Sequence, residues 1–382
     1  MEKQISKIAI CHHTLTSLGG GERVGVSLID ALNKTGIVPD VYTTSPIDLT
    51  YLQNFYGKKI ECKLHTIMPF AVRLFGIYQR LVASMHSFRL IGYDVVVNTT
   101  GIYVPIFLKS FIKRYIIYIY NPLVPIYPFA VKGHLKYERS LFWKLYFQPY
   151  QNIIRTSIKR LGNNELLAVS NFTKWRIEKY WNKQSTTVYP PVDIETFSQI
   201  FGNTDRDGVI SIARFTPEKN HILQLEIAKQ LPDLTFRICG SAKTPYYWHW
   251  FQHVKAEAEK MNLSNVEFYP TVLFNKLIEL VGKSKYFLHT MFNEDFGLTT
   301  AETIAGGCLP VVHNSGGQRE VVPYRRLRFD NVEEAVKIIV KADKMSKGEL
   351  GILRSKLFTH IQQFDESNFK KNMLRVIFNA NT

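Results

Sequence analysis

The chain has 382 residues, 46% hydrophobic and 21% charged, which excludes a disordered or collagen-like polypeptide and at this length favours two globular domains over one. Its formal net charge of +16 points to an anionic partner. Cys11, Cys62, Cys239 and Cys308 lie far apart without metal-ligand spacing, so reduced thiols in a cytoplasmic compartment are expected, with no metal and no disulfide framework.

Apolar runs alternate with helical patterns from the start. Lys7 to His12 reads as a strand with no signal-peptide shape before it, and Gly19-Gly20-Gly21 stands just ahead of a helix from Glu22 to Asn33. Glycines there let a backbone turn sharply and bring helix amides up to a ligand; three glycines alone also describe an ordinary loop. The spacing is not that of the dinucleotide fingerprint. Val38 to Thr43, Asp94 to Asn98, Arg114 to Tyr120 and Leu166 to Val169 read as further strands, with helices from Pro69, Leu135 and Phe172 among them. At Val188-Tyr189-Pro190-Pro191-Val192-Asp193 two prolines favour an extended connection.

From Lys63 to Arg160 there are fourteen basic residues against two acidic ones, twelve of the sixteen net charges. They are interleaved with bulky apolar side chains, as in PFAVRLFGIYQRLVASMHSFRL and KYERSLFWKLYFQPYQNIIRTSIKR. Such a mixture suits an anionic membrane surface, where each Lys or Arg near the headgroups is worth roughly 1 kcal/mol. It would also fit a buried core with a solvated basic face. Nucleic acid rewards basic and aromatic residues as well, but the aliphatic bias argues for a membrane partner through residues 63–160 and no nucleic acid. The longest uncharged stretch, Tyr115 to Val131, contains Pro122, Pro125 and Pro128, so a continuous spanning helix is not expected.

A second alternating series begins after the prolines. Gly208 to Ala213, Thr235 to Cys239, Val266 to Tyr269, Tyr286 to His289 and Leu309 to His313 read as strands, with helices from about Lys219, Pro245, Leu273 and Thr299. The chain is therefore expected to be α/β, with two doubly wound parallel-sheet, Rossmann-like domains facing a cleft. The expected divisions are residues 1–190, residues 191–360, and a helix in 361–382 that packs back toward the first domain.

Two clusters in this second series carry chemistry. Ser211 to His221 reads SIARFTPEKNH, which puts Arg214 at a strand end and Lys219 at a helix start, two cations able to hold a diphosphate or to serve as surface ion-pair partners. Met291 to Val322 contains Glu294 and Glu302 with seven residues between them, around Phe296-Gly297-Leu298. Amides at the start of that second helix would stabilise an anion, and the two carboxylates would accept hydrogen bonds from hydroxyls. That combination suits a nucleotide sugar. Thr299-x-x-Glu302 also has the form of a capping box, which needs no ligand.

Together GGGERV (Gly19 to Val24), SNFTKW (Ser170 to Trp175), VYPPVD (Val188 to Asp193), SIARFTPEKNH, TMFNEDFGL (Thr290 to Leu298) and HNSGG (His313 to Gly317) resemble the family 4 glycosyltransferases of the two-domain GT-B fold. The likeness is greatest to members that transfer mannose to a lipid-linked oligosaccharide. It implies that Arg214 and Lys219 bind the donor diphosphate, and that Glu294 with the amides of Phe296, Gly297 and Leu298 holds the transferred sugar and its phosphate. Glu302 would contact the ribose, Thr271 and Val272 would lie against the base, and Gly20 and Gly21 would approach the phosphates. One departure concerns the family's first-domain histidine, in whose place this chain has Tyr120-Asn121-Pro122. Tyr120 or Asn121, or else His12 or His13, would then meet the sugar.

The resemblance implies a retaining hexosyltransferase that needs no cofactor or metal. Its donor would be GDP-mannose or a UDP-sugar and its acceptor lipid-linked or another glycan, at the cytoplasmic face of a membrane. The alternatives are a GT-B epimerase or phosphorylase, or a basic membrane-binding protein without catalysis.

Overall fold

The computed structural model describes residues 7–13, 15, 19–67, 83–101, 112–122, 141–159, 161 and 165–378. Two compact units are formed, Met1–Pro191 with Glu366–Thr382, and Val192–Asp365.

In the first unit, strands β1 (Ile8–Cys11), β2 (Asp40–Thr43), β3 (Lys63–Thr66), β4 (Val95–Gly101), β5 (Arg114–Ile119), β6 (Glu165–Ala168) and β7 (Thr186–Thr187) form a seven-stranded sheet in the order β3-β2-β1-β4-β5-β6-β7. Every pairing is parallel. Sheets of this kind are covered on both faces, which is why β4 (VVVNTTG) is buried at all its positions and reads as a run rather than an alternation. On one face Tyr150, Ile154 and Ile158 of the helix Leu141–Lys159 pack with Val96, Ile117 and Trp181.

In the second unit, β8 (Asp207–Ile212), β9 (Phe236–Gly240), β10 (Val266–Pro270), β11 (Ser284–His289), β12 (Leu309–His313) and β13 (Arg328–Phe329) form a six-stranded parallel sheet in the order β10-β9-β8-β11-β12-β13. Each sheet thus reverses its winding once, between β1 and β4 and between β8 and β11. Ligands of doubly wound sheets sit outside the carboxyl ends of the strands at such a reversal.

The anticipated strands are present with boundaries moved by at most three residues, the largest shift being the end of β4 from Asn98 to Gly101. Strands β3, β7 and β13 were not anticipated, because they are edge pieces of two to four residues and KLHT carries no apolar alternation. The helix starts expected at Pro69 and Leu135 lie outside the described residues. Cys11, Cys62, Cys239 and Cys308 are free thiols, the last two buried. No helix among the described residues is long and apolar enough to cross a membrane.

The C-terminal helix Glu366–Phe378 belongs to the first unit and buries Phe369, Met373 and Ile377. Charge holds both its ends. Glu366 pairs with Lys58, and Lys370 bridges Glu366 and Asp30. Arg114 donates Nη1 to Ile377 O at 2.6 Å and Nη2 to Val376 O at 2.7 Å, capping carbonyls that the helix cannot satisfy, while its other edge grips Glu165 at 2.7 Å and 2.8 Å. Arg114→Ala is expected to destabilise the first unit by about 2 kcal/mol, the worth of hydrogen bonds to a charged group, leaving those carbonyls unpaired. Urea unfolding followed by a probe in this unit checks it, and an unchanged midpoint would contradict the capping role.

Candidate functional site

At the reversal between β8 and β11 two loops meet. The chain leaves β8 through Ala213 and Arg214, buries Phe215 against the ring of His221 at 4.9 Å, and turns through Pro217–Lys219 into the helix His221–Lys229. Asn220 takes the left-handed conformation between the two helical pieces, with φ 52°. Leaving β11, Thr290 ties this loop to the next: its hydroxyl contacts Lys219 O at 2.9 Å and accepts from Gln224 Nε2 at 3.0 Å. Lys219 is thereby placed against Glu294, with Nζ 2.6 Å from Oε2.

A third member of this cluster, His289, ends β11 and lies 3.1 Å from the same Glu294 oxygen through Nε2. Burial by itself would raise the Glu294 carboxyl, but the Lys219 charge and the His289 hydrogen bond overcome it and hold the group well below the usual carboxylate range. Burial pushes the His289 ring down, so it stays neutral beside its anion. His221, shielded in the same way and close to Lys219, is pushed down to about 3.

The glycines explain how the Glu294 loop keeps its course. Gly317 N donates to Glu294 O at 2.8 Å, and Asn293 N donates to Ser315 Oγ at 2.8 Å. A Cβ on Gly316, whose φ is 64°, would lie 2.3 Å from Glu294 O, and one on Gly317 would lie 2.4 Å from Asp295 O. Only glycine admits the two backbones at that approach.

Gly297, with φ 111°, is the cap residue of the helix Leu298–Ala305, and no side chain caps that helix. The first-turn amides of Leu298, Thr299 and Thr300 precede the first intrahelical acceptor, so they point toward an incoming anion. This geometry removes the capping-box reading: Thr299 lies inside the helix, not at its cap, and Glu302 is half-buried farther along. The Phe296 side chain is buried against Phe364 at 5.1 Å, so its backbone is what can face a ligand. Thr271, at φ 61°, turns the chain after β10, and its hydroxyl accepts from Ala242 N at 3.0 Å beside Val272.

Arg214 is not part of the Lys219 cluster. Its guanidinium is exposed, with Nη1 donating to the Tyr247 hydroxyl at 3.3 Å over the first turn of the helix Pro245–Lys260. The expectation of two adjacent cations therefore holds for position in the chain, but Lys219 is already paired and Arg214 extends into solvent.

In the first unit, Gly20 and Gly21 open the helix Gly20–Asn33, and the backbone N–H of Gly19 is capped by Glu22 at 2.9 Å. Tyr120 faces inward. Its hydroxyl donates to Gly21 O at 3.0 Å, and its ring fills the space a Cβ on Gly101 would need. Asn121 Oδ1 accepts from Arg176 Nη2 at 3.0 Å. His12 is 2% exposed and bonded to Thr99 Oγ1 at 2.9 Å, and burial pushes its pKa down to about 4; His13 stacks on it and is only half-buried. Of the four residues expected to meet a sugar, Tyr120, Asn121 and His12 each make a side-chain hydrogen bond within this unit.

Sequence reasoning missed His289. Its signal was a strand, KYFLH, that closes on a titratable ring beside the site, as β12 closes on His313.

Residues 193–326 match the family model described as glycosyl transferases group 1. Among solved structures, a glycosyltransferase from Rickettsia africae superposes with a TM-score of 0.70 at 15% identity, over 100% of both chains. The fold is therefore GT-B, and the match to the group 1 model lies within the second unit. More particularly, the chain is 27% identical over 258 residues to the GDP-Man:Man(3)GlcNAc(2)-PP-Dol alpha-1,2-mannosyltransferase of Dictyostelium discoideum, covering 60% of this chain and 50% of the relative. It is 26% identical over 366 residues to the protein of that name in Candida albicans, covering 78% of this chain and 58% of the relative. The chain thus spans about half the length of the curated relatives it matches.

Proposed function

We propose that the chain is a retaining, metal-independent glycosyltransferase that moves mannose from GDP-mannose to a lipid-linked glycan at a membrane surface. The observation that carries this reading is the Lys219, Glu294 and His289 cluster, set beside the uncapped helix Leu298–Ala305 at the reversal of the second sheet. The names of the curated relatives support the donor and acceptor.

In glycosyl transfer the departing diphosphate gains negative charge while the sugar becomes oxocarbenium-like. Lys219 and the amides of Leu298 and Thr299 are the donors for that anion, and Arg214 joins them only by leaving the Tyr247 hydroxyl it contacts at 3.3 Å. One preorganised donor is typically worth about 2.7–4 kcal/mol in the transition state. Glu294 accepts from a hydroxyl of the transferred sugar, Glu302 from the ribose, and the Thr271-Val272 turn meets the base. With no carboxylate assigned as nucleophile, retention proceeds on one face of the ring. The acceptor oxygen bonds to the anomeric carbon as its bond to phosphate breaks, and the acceptor proton passes to the departing phosphate oxygen.

Membrane association is supported by the basic stretch of residues 63–160 and by exposed Leu141 and Leu145, 72% and 64% accessible, on the helix Leu141–Lys159. The test incubates the protein with GDP-mannose or UDP-sugars, with and without a lipid-linked glycan on anionic vesicles. Mannosyl product with α configuration, formed only with acceptor, is expected. Turnover without acceptor would indicate an epimerase, and release of sugar phosphate a phosphorylase. Turnover by none of the donors, with the vesicles still bound, would leave a membrane-binding protein.

A further inference from the structure

His289 is 3% exposed, ends β11 and stacks on Phe287, so its ring has no freedom to swing. Its Nε2 and the Lys219 ammonium both contact Oε2 of Glu294, at 3.1 Å and 2.6 Å. Oε1 of Glu294 takes no hydrogen bond from the described residues and is the atom left for a ligand. The two anchors differ in kind. Lys219 is a point charge on a flexible stem that an arriving anion can draw away, whereas His289 is fixed by packing. Because the carboxylate is ionised, the facing Nε2 must carry the ring hydrogen.

We propose that His289 is a positioning residue for the donor sugar: its Nε2–H holds Oε2 of Glu294 so that Oε1 stays aimed at a hydroxyl of the transferred hexose while Lys219 moves to the diphosphate. The inference rests on the glycosyltransferase reading above and adds to it an orienting residue that the sequence motifs did not include. Lys219 faces this ring as well, and His221 and His313 lie within electrostatic range of it.

The experiment compares His289→Phe, which removes the donor, with His289→Gln, which keeps one. Transfer rate, GDP affinity by calorimetry and thermal stability are measured for both. GDP lacks the sugar, so its affinity is expected to stay within about threefold in either variant. The Phe variant is expected to lose about 10- to 100-fold in kcat, the scale of a hydrogen bond to a charged group, and the Gln variant to retain at least about a third of the rate. A Phe variant within about threefold of wild type in kcat overturns the proposal, as does a parallel fall in rate, GDP affinity and stability in both variants. Nitrogen-15 spectra of the wild-type ring give a check that needs no substitution: hydrogen on Nε2 before and after GDP is expected, and hydrogen on Nδ1 alone overturns the proposal. Glu294→Ala serves as the control. If that variant is active, the donor-site reading itself fails; if it is inactive while His289→Phe is active, only the role of His289 falls.

Discussion

Glu294→Ala is expected to lower transfer more than about 100-fold while GDP binds at least as tightly as to the wild type. The two effects have one cause. In the free protein Glu294 occupies Lys219 at 2.6 Å, so a diphosphate must compete with a carboxylate for that ammonium. Removing the carboxylate releases the cation to the nucleotide but leaves the transferred sugar without its acceptor of hydrogen bonds, and the loss falls on turnover. Single-turnover transfer and calorimetry with GDP separate the two. A variant keeping more than about a tenth of the wild-type rate would contradict the role of Glu294.

Lys219→Ala is expected to act in the opposite sense on the nucleotide, weakening GDP by about 10- to 100-fold through loss of a charge-assisted contact, and to abolish transfer as well. It also carries a stability cost. The Lys219 and Glu294 side chains are 14% and 17% exposed, so the stranded carboxylate should cost about 2–3 kcal/mol, somewhat below the roughly 3–5 kcal/mol of a fully buried pair broken on one side. The pH dependence follows from the depressed Glu294 carboxyl. Its contribution is fully present above the ordinary value of 4.5 and is lost as pH falls through the lower folded value. The stability gap between wild type and variant should therefore narrow on acidification below about pH 4. Denaturant unfolding at neutral and acid pH measures it, and a gap that widens in acid would contradict the ion pair.

The parts of this site that the sequence exposed are those written locally. Two glutamates around Phe296-Gly297-Leu298, a Gly316-Gly317 pair and cations at a strand end are legible because short-range geometry dictates them: a left-handed cap requires Gly297, and at Gly316 a Cβ would lie 2.3 Å from Glu294 O. What stayed hidden depends on which strands become neighbours. Lys219 and Glu294 are 75 residues apart, and they meet because β8 and β11 pair across the winding reversal. A separation of 33 residues likewise hid the partner of Arg214, since Tyr247 enters from the helix after β9. Tyr120 and Asn121 were expected to meet sugar because they stand where the family's histidine would. Only the tertiary contacts reveal that the Tyr120 hydroxyl bonds Gly21 and that Asn121 bonds Arg176.

The most direct test of the central claim, that Lys219 and the amino end of the helix Leu298–Ala305 receive the donor's diphosphate, is a crystal structure of the protein with GDP. The account predicts the β-phosphate within hydrogen-bond distance of Lys219 Nζ and of the Leu298 amide, with Glu294 Oε1 open toward the sugar position. A diphosphate bound elsewhere, with Lys219 still closed on Glu294, would contradict it.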